Sequence, residues 1–306
     1  MSKPRRQREE VNGVLLLDKP LGLSSNTALQ KARWLYNAAK AGHTGVLDPL
    51  ATGLLPVCLG EATKFSSFLL DADKSYRATA RFGVTTTTGD AEGEVVRERP
   101  VAFGQADLLA AFERFTGEIE QIPPMYSALK HQGKALYEYA RAGVEIERAA
   151  RTVTIHSITL VALQEESAVF DVVCSKGTYI RTLAEDIGEH LHCGAHLTAL
   201  RRTGTAGFSL DDAVTLEALE ALDRTERHAR LLPVDVLVGH LPACSLDEVA
   251  AGRFLHGQAV HVTENHAIMS RFRVYRSGGR GFLGLGEQRA DGMLHPVRLL
   301  AAHAAG

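Results

Sequence analysis

The string GHTGVLDPLATGLL at 42–55 holds one carboxylate, Asp48, among glycines, threonines and apolar residues, with no basic residue after His43. An aspartate with an ordinary pKa of about 3.9 is ionised at neutral pH, so it can attack carbon or offset a developing positive charge without a partner base. A structural reading stays open beside this one. Asp-Pro starts many helices, the aspartate as N-cap and the proline at the first helical position. Gly53 and Pro56 follow closely, so little helix exists there to be capped, and Asp48 is better placed as a carboxylate held on a turn. A second stretch with chemistry is 122–151, where Lys130, His131, Lys134, Arg141, Arg148 and Arg151 interleave with Tyr126, Tyr137 and Tyr139. Cations for phosphates and rings for unstacked bases are the mixture that grips a looped RNA.

These side chains need a scaffold. After a polar arm at 1–10, VNGVLLLD reads as a buried strand, and Ser24-Ser25 before a periodic run predicts a capped helix at about 26–38. Alternation and β-branched content predict strands at 75–83, 93–97, 152–162, 168–174 and 195–203, and helices are expected at 105–116, 133–141, 179–191 and 215–222. Such irregular ordering predicts an α+β fold with a mostly antiparallel or mixed sheet, not a βαβ repeat. Tyr179 and Arg181, two residues apart, would point to one face on a strand. Residues 11–240 are expected to form the main body, with an acidic helical connector towards its end, and 245–306, rich in strand, glycine and arginine, a small C-terminal β domain.

Composition narrows the class. The chain has 306 residues, 45% hydrophobic and 23% charged, with a formal net charge of −2, which excludes disorder and a disulfide scaffold. Charge is nonetheless uneven: 210–250 carries nine acids against three arginines, whereas 251–306 carries seven arginines against three acids. Basic stretches are usually solvated faces, but here they also allow a polyanion groove with an acidic back. Cys58, Cys174, Cys193 and Cys244 lie far apart without a C-x-x-C, which suits a reducing compartment, and no apolar run reaches bilayer length, so a cytoplasmic protein without membrane contact is expected.

GHTGVLDPLATGLLPVCLGEATK at 42–64 closely resembles the signature of the TruB family of tRNA pseudouridine synthases. Further matching blocks are LLLDKPLGLSSN at 15–26, DKSYRATARFG at 73–83, IPPMYSALKHQGKALYEYAR at 122–141, SKGTYIRTLAEDIG at 175–188 and GAHLTALRRT at 194–203. The resemblance implies a pseudouridine synthase core with a mixed or antiparallel sheet and a small PUA-like RNA-binding domain at the C-terminus. It also implies isomerisation of uridine 55 in the T loop of tRNA, with base flipping and without metal or organic cofactor. The expected partner is the T-arm stem-loop, taken by a monomer with no obligate protein partner.

By the same resemblance Asp48 is the catalytic carboxylate, Tyr76 the active-site tyrosine that stacks on the extruded uracil and handles the C5 proton, and Arg181 the partner of Asp48. A planar guanidinium holding both oxygens would keep the carboxyl pKa low. His43 is similar to the family histidine that contacts the RNA loop, Tyr179 and Leu200 are expected to wall the base, and Lys19 lies near the site. Ordinary alternatives remain: a turn histidine for His43, core packing for Tyr179 and Leu200, and a structural lysine in KPLGLSS. Thr87 in TTTTGD replaces the family's aspartate, while Asp90 is retained.

Competing patterns are weaker. LLDADKS at 69–75 resembles the magnesium-dependent phosphatases of the haloacid-dehalogenase superfamily, but Ser75 replaces the usual residue and no partner block follows. His190, His192, Cys193 and His196 could sketch a metal site at a helix end. Gly279, Gly281 and Gly284 give a G-x-G-x-x-G that lacks a following helix and reads as hairpin turns. The rival in another class is a non-catalytic RNA-binding or RNA-chaperone protein of the same fold, disfavoured by Asp48, Tyr76 and Arg181 occurring together.

Overall fold

The apolar run after the polar arm becomes β1 (Gly13–Lys19). Its alternate residues face two different cores: Leu15 and Leu17 join one buried cluster, Val14 and Leu16 another. A strand covered on both faces needs this unbroken apolar string. The computed structural model describes residues 7–262, 270–278 and 281–301; Lys3, Arg5, Arg6 and Gly279 lie outside them.

Helix α1 (Ser25–Leu35) starts where the Ser24 hydroxyl accepts the Thr27 amide. It is followed by β2 (Ala41–His43), β3 (Ala51–Leu59), β4 (Lys74–Phe82) and the hairpin β5 (Val84–Thr86) and β6 (Val95–Glu98). Next come α2 (Gln105–Arg114), β7 (Gly117–Gln121), a small hairpin β8 (Lys130–His131) and β9 (Lys134–Ala135), and α3 (Leu136–Arg141). The expected helix at 133–141 is thus shortened. Gln132 and Gly133 both adopt positive φ, and this turn draws Lys134 into the hairpin.

The long pair β10 (Arg151–Gln164) and β11 (Ser167–Cys174) leads to α4 (Ile180–His190) and β12 (Ala195–Thr205). β13 (Phe208–Ser209), β14 (Val214–Thr215), α5 (Leu216–Ala221) and α6 (Arg224–His228) complete the body. The main sheet runs β14-β1-β3-β12-β4-β11-β10-β7. It is antiparallel except at β1/β14 and β3/β12, so the sheet is mixed, as the ordering of elements predicts.

The remaining chain forms β15 (Ala243–Leu246), α7 (Glu248–Leu255), β16 (Val260–His261), β17 (Arg271–Arg276), β18 (Phe282–Gln288) and β19 (Met293–Leu299). Its five-stranded sheet has the order β15-β17-β18-β19-β16. Phe254, Phe272 and Leu285 share one core with Val14, Leu16, Leu54 and Cys58 of the main sheet. The opposite face is covered by α1, α2 and α4. All four cysteines are buried and none is in a disulfide. Among the described residues no helix is long and apolar enough to cross a membrane.

Strand β3 is the largest departure from the sequence reading, which foresees no strand between the Asp48 turn and 75. Pro56 is tolerated although it has no N–H, and its carbonyl accepts the Thr44 amide. Gly53 is required. At φ +97° a Cβ there would lie 2.3 Å from the Arg202 carbonyl oxygen on β12, which pairs with β3 in parallel at this point. Gly53→Ala is therefore expected to destabilise the protein by about 2–4 kcal/mol, from left-handed strain plus overpacking. Urea unfolding checks this, and a change under about 1 kcal/mol would show that β12 can shift aside.

Candidate active site

The turn between β2 and β3 is shaped from outside itself. Ser25 at the start of α1 clamps Leu47, its hydroxyl accepting the Leu47 amide at 2.7 Å and bonding the Leu47 carbonyl at 3.0 Å. Lys19, at the end of β1, donates to the Pro20, Leu23 and Pro49 carbonyls. Its side chain is 0% exposed, so Lys19 does not line the site as a substrate contact; it braces the loop. Burial lowers its pKa to about 8, opposed by the nearby Asp48 charge. Asp48 itself caps no helix. Its carbonyl accepts the Ala51 amide and β3 begins at once, which leaves the carboxylate on a turn with 37% of its side chain open.

Arg181 reaches this carboxylate from the first turn of α4, not from a strand, and Tyr179 is the residue that precedes the helix. The Gln121 side chain bonds both the amide and the carbonyl of Tyr179, and the Arg151 guanidinium lies 5.0 Å from its ring centroid. The Arg181 fork is not spread over both oxygens of Asp48. Nη2 meets Asp48 Oδ2 at 2.8 Å and also donates to the Tyr126 carbonyl, Nη1 donates to the Thr88 carbonyl, and Nε lies 3.6 Å from Asp90 Oδ2. Two carboxylates thus share one buried cation.

The expected low pKa for Asp48 is accordingly reversed. Burial pushes its carboxyl above the usual aspartate value, Arg181 and Lys19 oppose this, and Asp90 adds to it. Asp90 is a site residue that sequence reasoning noticed only as part of a block. It is buried, accepts the Thr88 hydroxyl at 2.5 Å and the Glu92 amide at 3.1 Å, and helps to seat Arg181. Thr87, in place of the family's aspartate, accepts the Glu94 amide within the β5–β6 turn.

Asp48 stands between two cavities. One, of about 420 Å³, is lined by Tyr76, Tyr179, Arg181, Leu200 and Arg202. Tyr76 and Arg202 are direct partners across β4 and β12, and Leu200 lies two residues before Arg202 on the same face. Burial raises the Tyr76 phenol pKa, with the neighbouring Arg202 guanidinium pulling it back. The other cavity, of about 500 Å³, is lined by His43, Asn26, Asp90, Tyr126, Tyr137 and Arg141. Burial, and then Arg202, lower the His43 pKa, so the imidazole is neutral at pH 7. Lys130 and Lys134 belong to neither lining and stand exposed on the β8–β9 hairpin. A roomier depression of about 630 Å³ along 203–209 is open and does not include Asp48.

The competing patterns do not assemble. Asp71 bonds Lys176 on the surface and Asp73 meets His156, so these two acids do not converge as a phosphatase pair. His196 is taken by the Val84 carbonyl and His190 stands edge-on to Phe115. Gly284 sits inside β18, which is followed by a strand and not a helix.

A large mixed sheet with a five-stranded C-terminal domain is the fold that the resemblance to pseudouridine synthases implies, and it carries an aspartate–arginine pair beside a cavity walled by tyrosine and leucine. The known relatives agree in detail. Residues 33–180 match the N-terminal domain of the TruB family pseudouridylate synthases, 181–239 the tRNA pseudouridylate synthase B C-terminal domain, and 242–300 the C-terminal region of pseudouridine synthase II TruB. A protein of Chromobacterium violaceum called tRNA pseudouridine synthase B is 67% identical over 304 residues, 99% of each chain. The protein of that name from Burkholderia mallei is 57% identical over 307 residues, 99% of this chain and 98% of its own. Among solved structures, a chain of a Cbf5-Nop10-Gar1 complex has a TM-score of 0.69 at 27% identity, covering 90% of this chain and 78% of its own. The chain belongs to the TruB family of pseudouridylate synthases.

Proposed function

We propose that this protein isomerises uridine 55 in the T loop of tRNA to pseudouridine. The uridine is flipped out of its loop into the cavity beside Asp48, Tyr76 stacks on the base and handles protons, and Leu200 and Tyr179 wall it. Asp48 serves as nucleophile or as stabiliser of charge on the ribose. Moving a glycosidic bond from N1 to C5 is an internal rearrangement, so the reaction needs neither a redox group nor a metal, and the enzyme works in the cytoplasm as a monomer without a protein partner. The carrying observation is the 2.8 Å pair between Asp48 and Arg181 at the junction of two cavities large enough for nucleotides. The names of the 67% and 57% identical relatives support tRNA as substrate.

The test is incubation with unmodified tRNA transcript, and separately with a T-arm stem-loop, followed by mapping of pseudouridine. Modification at position 55 in both is expected. No pseudouridine in either would leave a binding protein of the same fold, and a different position would reassign the substrate.

In this reading 11–240 is the catalytic body, 122–151 grips RNA, and the domain from about 245 adds affinity through the rest of the tRNA. The shared core with Val14 and Leu16 makes that domain unsuited to deletion, so shortening the RNA is the sounder comparison. Lys130 and Lys134 contact phosphates, with His43 entering the loop. Lys130→Ala combined with Lys134→Ala is expected to weaken tRNA binding and flatten its log–log salt dependence by up to about 0.9 per lost contact, or about 0.7 on single-stranded RNA. The rate at saturating tRNA should hold. An unchanged slope would reassign the hairpin to packing.

A further inference from the structure

Arg202 is 1% exposed and lines the cavity that holds Tyr76. Its Nε donates to the Leu54 carbonyl at 2.7 Å, whereas Nη2 is buried without a hydrogen-bond partner. No ion pair to Arg202 forms among the described residues: its charge bears on Lys19, His43 and Lys74, and the Asp48 carboxylate, which lines the same cavity, is paired with Arg181 instead. A guanidinium has no acceptor and cannot discharge itself, so a buried one with no carboxylate paired to it gains strongly when a group beside it becomes negative. The group placed to do so is the Tyr76 phenol. Tyr76 and Arg202 are paired residues of adjacent strands with side chains on one face, and Cys174 and Asp48 are the other titratable groups that bear on the phenol.

We propose that Arg202 is the positioning residue for Tyr76: it donates to the phenolic oxygen, turns the O–H into the cavity and stabilises the phenolate formed during the isomerisation. This rests on the pseudouridine synthase reading above. The protons then balance with a single group. When the N1–C1′ bond breaks, its electron pair stays with the uracil, and the phenol passes its proton to N1. Half a turn of the freed base about the line through N3 and C6 exchanges N1 and C5, so the same oxygen now faces C5. The C5=C6 pair forms the C5–C1′ bond, the C5 proton passes to the phenolate, and the double bond is restored. The product has gained a hydrogen at N1 and lost one at C5, and the phenol is regenerated. An acid that later acts as a base must be protonated at rest, which agrees with a buried phenol.

The test uses the full chain with tRNA transcript under single-turnover conditions. Arg202→Gln is expected to lower the rate about 100-fold, as does loss of one preorganised donor, with tRNA Kd within twofold. The decisive comparison places fluorinated tyrosines of increasing acidity at position 76. Acidity should replace the missing cation and recover at least tenfold of the Arg202→Gln loss. A merely structural role for Arg202 predicts no recovery, and that result overturns the proposal. If Arg202→Gln does not fold, Arg202→Lys carries the same series: a steeper dependence of rate on phenol acidity than in the parent supports the proposal, and an identical dependence overturns it. A parent protein that forms no pseudouridine overturns the functional reading as well, whereas an active parent with unchanged dependence overturns only the role of Arg202.

Discussion

Asp48→Asn is expected to lower single-turnover pseudouridine formation by about 10⁴-fold or more while leaving the fold and tRNA binding close to the parent. The amide is nearly isosteric, so the turn clamped by Ser25 and Lys19 is undisturbed, and its oxygen still accepts from Arg181. What is lost is the negative charge, which alone can add to carbon or offset positive charge on the ribose. Stability should not fall, because burial and Asp90 cost the carboxylate more than Arg181 and Lys19 return, as its raised pKa shows. The same balance sets the acid limb of the parent's rate. With the Asp48 carboxyl raised above its ordinary value, activity falls as pH drops through that raised value, above the range of an exposed aspartate. EDTA should leave the parent unaffected. A mutant rate within tenfold of the parent, measured on T-arm RNA, would remove Asp48 from the chemistry.

How far the sequence carries depends on whether the deciding contacts are local. Strands β4, β10 and β11 and helix α4 form within a residue or two of where alternation and helical periodicity place them, because each carries its own buried face. β3 is different. Gly53 and Pro56 read as breakers, and only the passage of Arg202 beside Gly53 and a two-sided core make them part of a central strand. The carboxylate on a turn was legible from the lack of helix after Asp48. That Asp90 shares Arg181 was not, since 41 residues separate Asp48 from Asp90 and only the fold brings them together. Arg202 has no role in the sequence reading, where it merely follows Arg201 in LRRT, yet Arg201 faces Asp18 at the surface and Arg202 is sealed inside. In a strand that difference is set by parity alone, and the face is known only once the neighbours are.

Arg181→Lys is expected to cost about 10²–10³ in single-turnover rate, with tRNA affinity changed by no more than a few-fold. The reason lies in how the guanidinium is used. One planar group meets Asp48, approaches Asp90 and donates to the Thr88 and Tyr126 carbonyls, so it ties the turn before β3 to the β5–β6 turn and to the start of the 122–151 segment. An ammonium has three donors and no fork, and cannot reach all four partners from the first turn of α4. Keeping the charge therefore does not keep the geometry, and a carboxylate released from its partner is poorly aimed at C1′ or C6. With less help from the cation, Asp48 and Asp90 repel more strongly. The Asp48 pKa then rises further, and the acid limb of the rate profile moves to higher pH than in the parent. A lysine variant with a near-parent rate and an unmoved limb would show that charge alone suffices, and that the shared guanidinium is a strut rather than the aligner of Asp48.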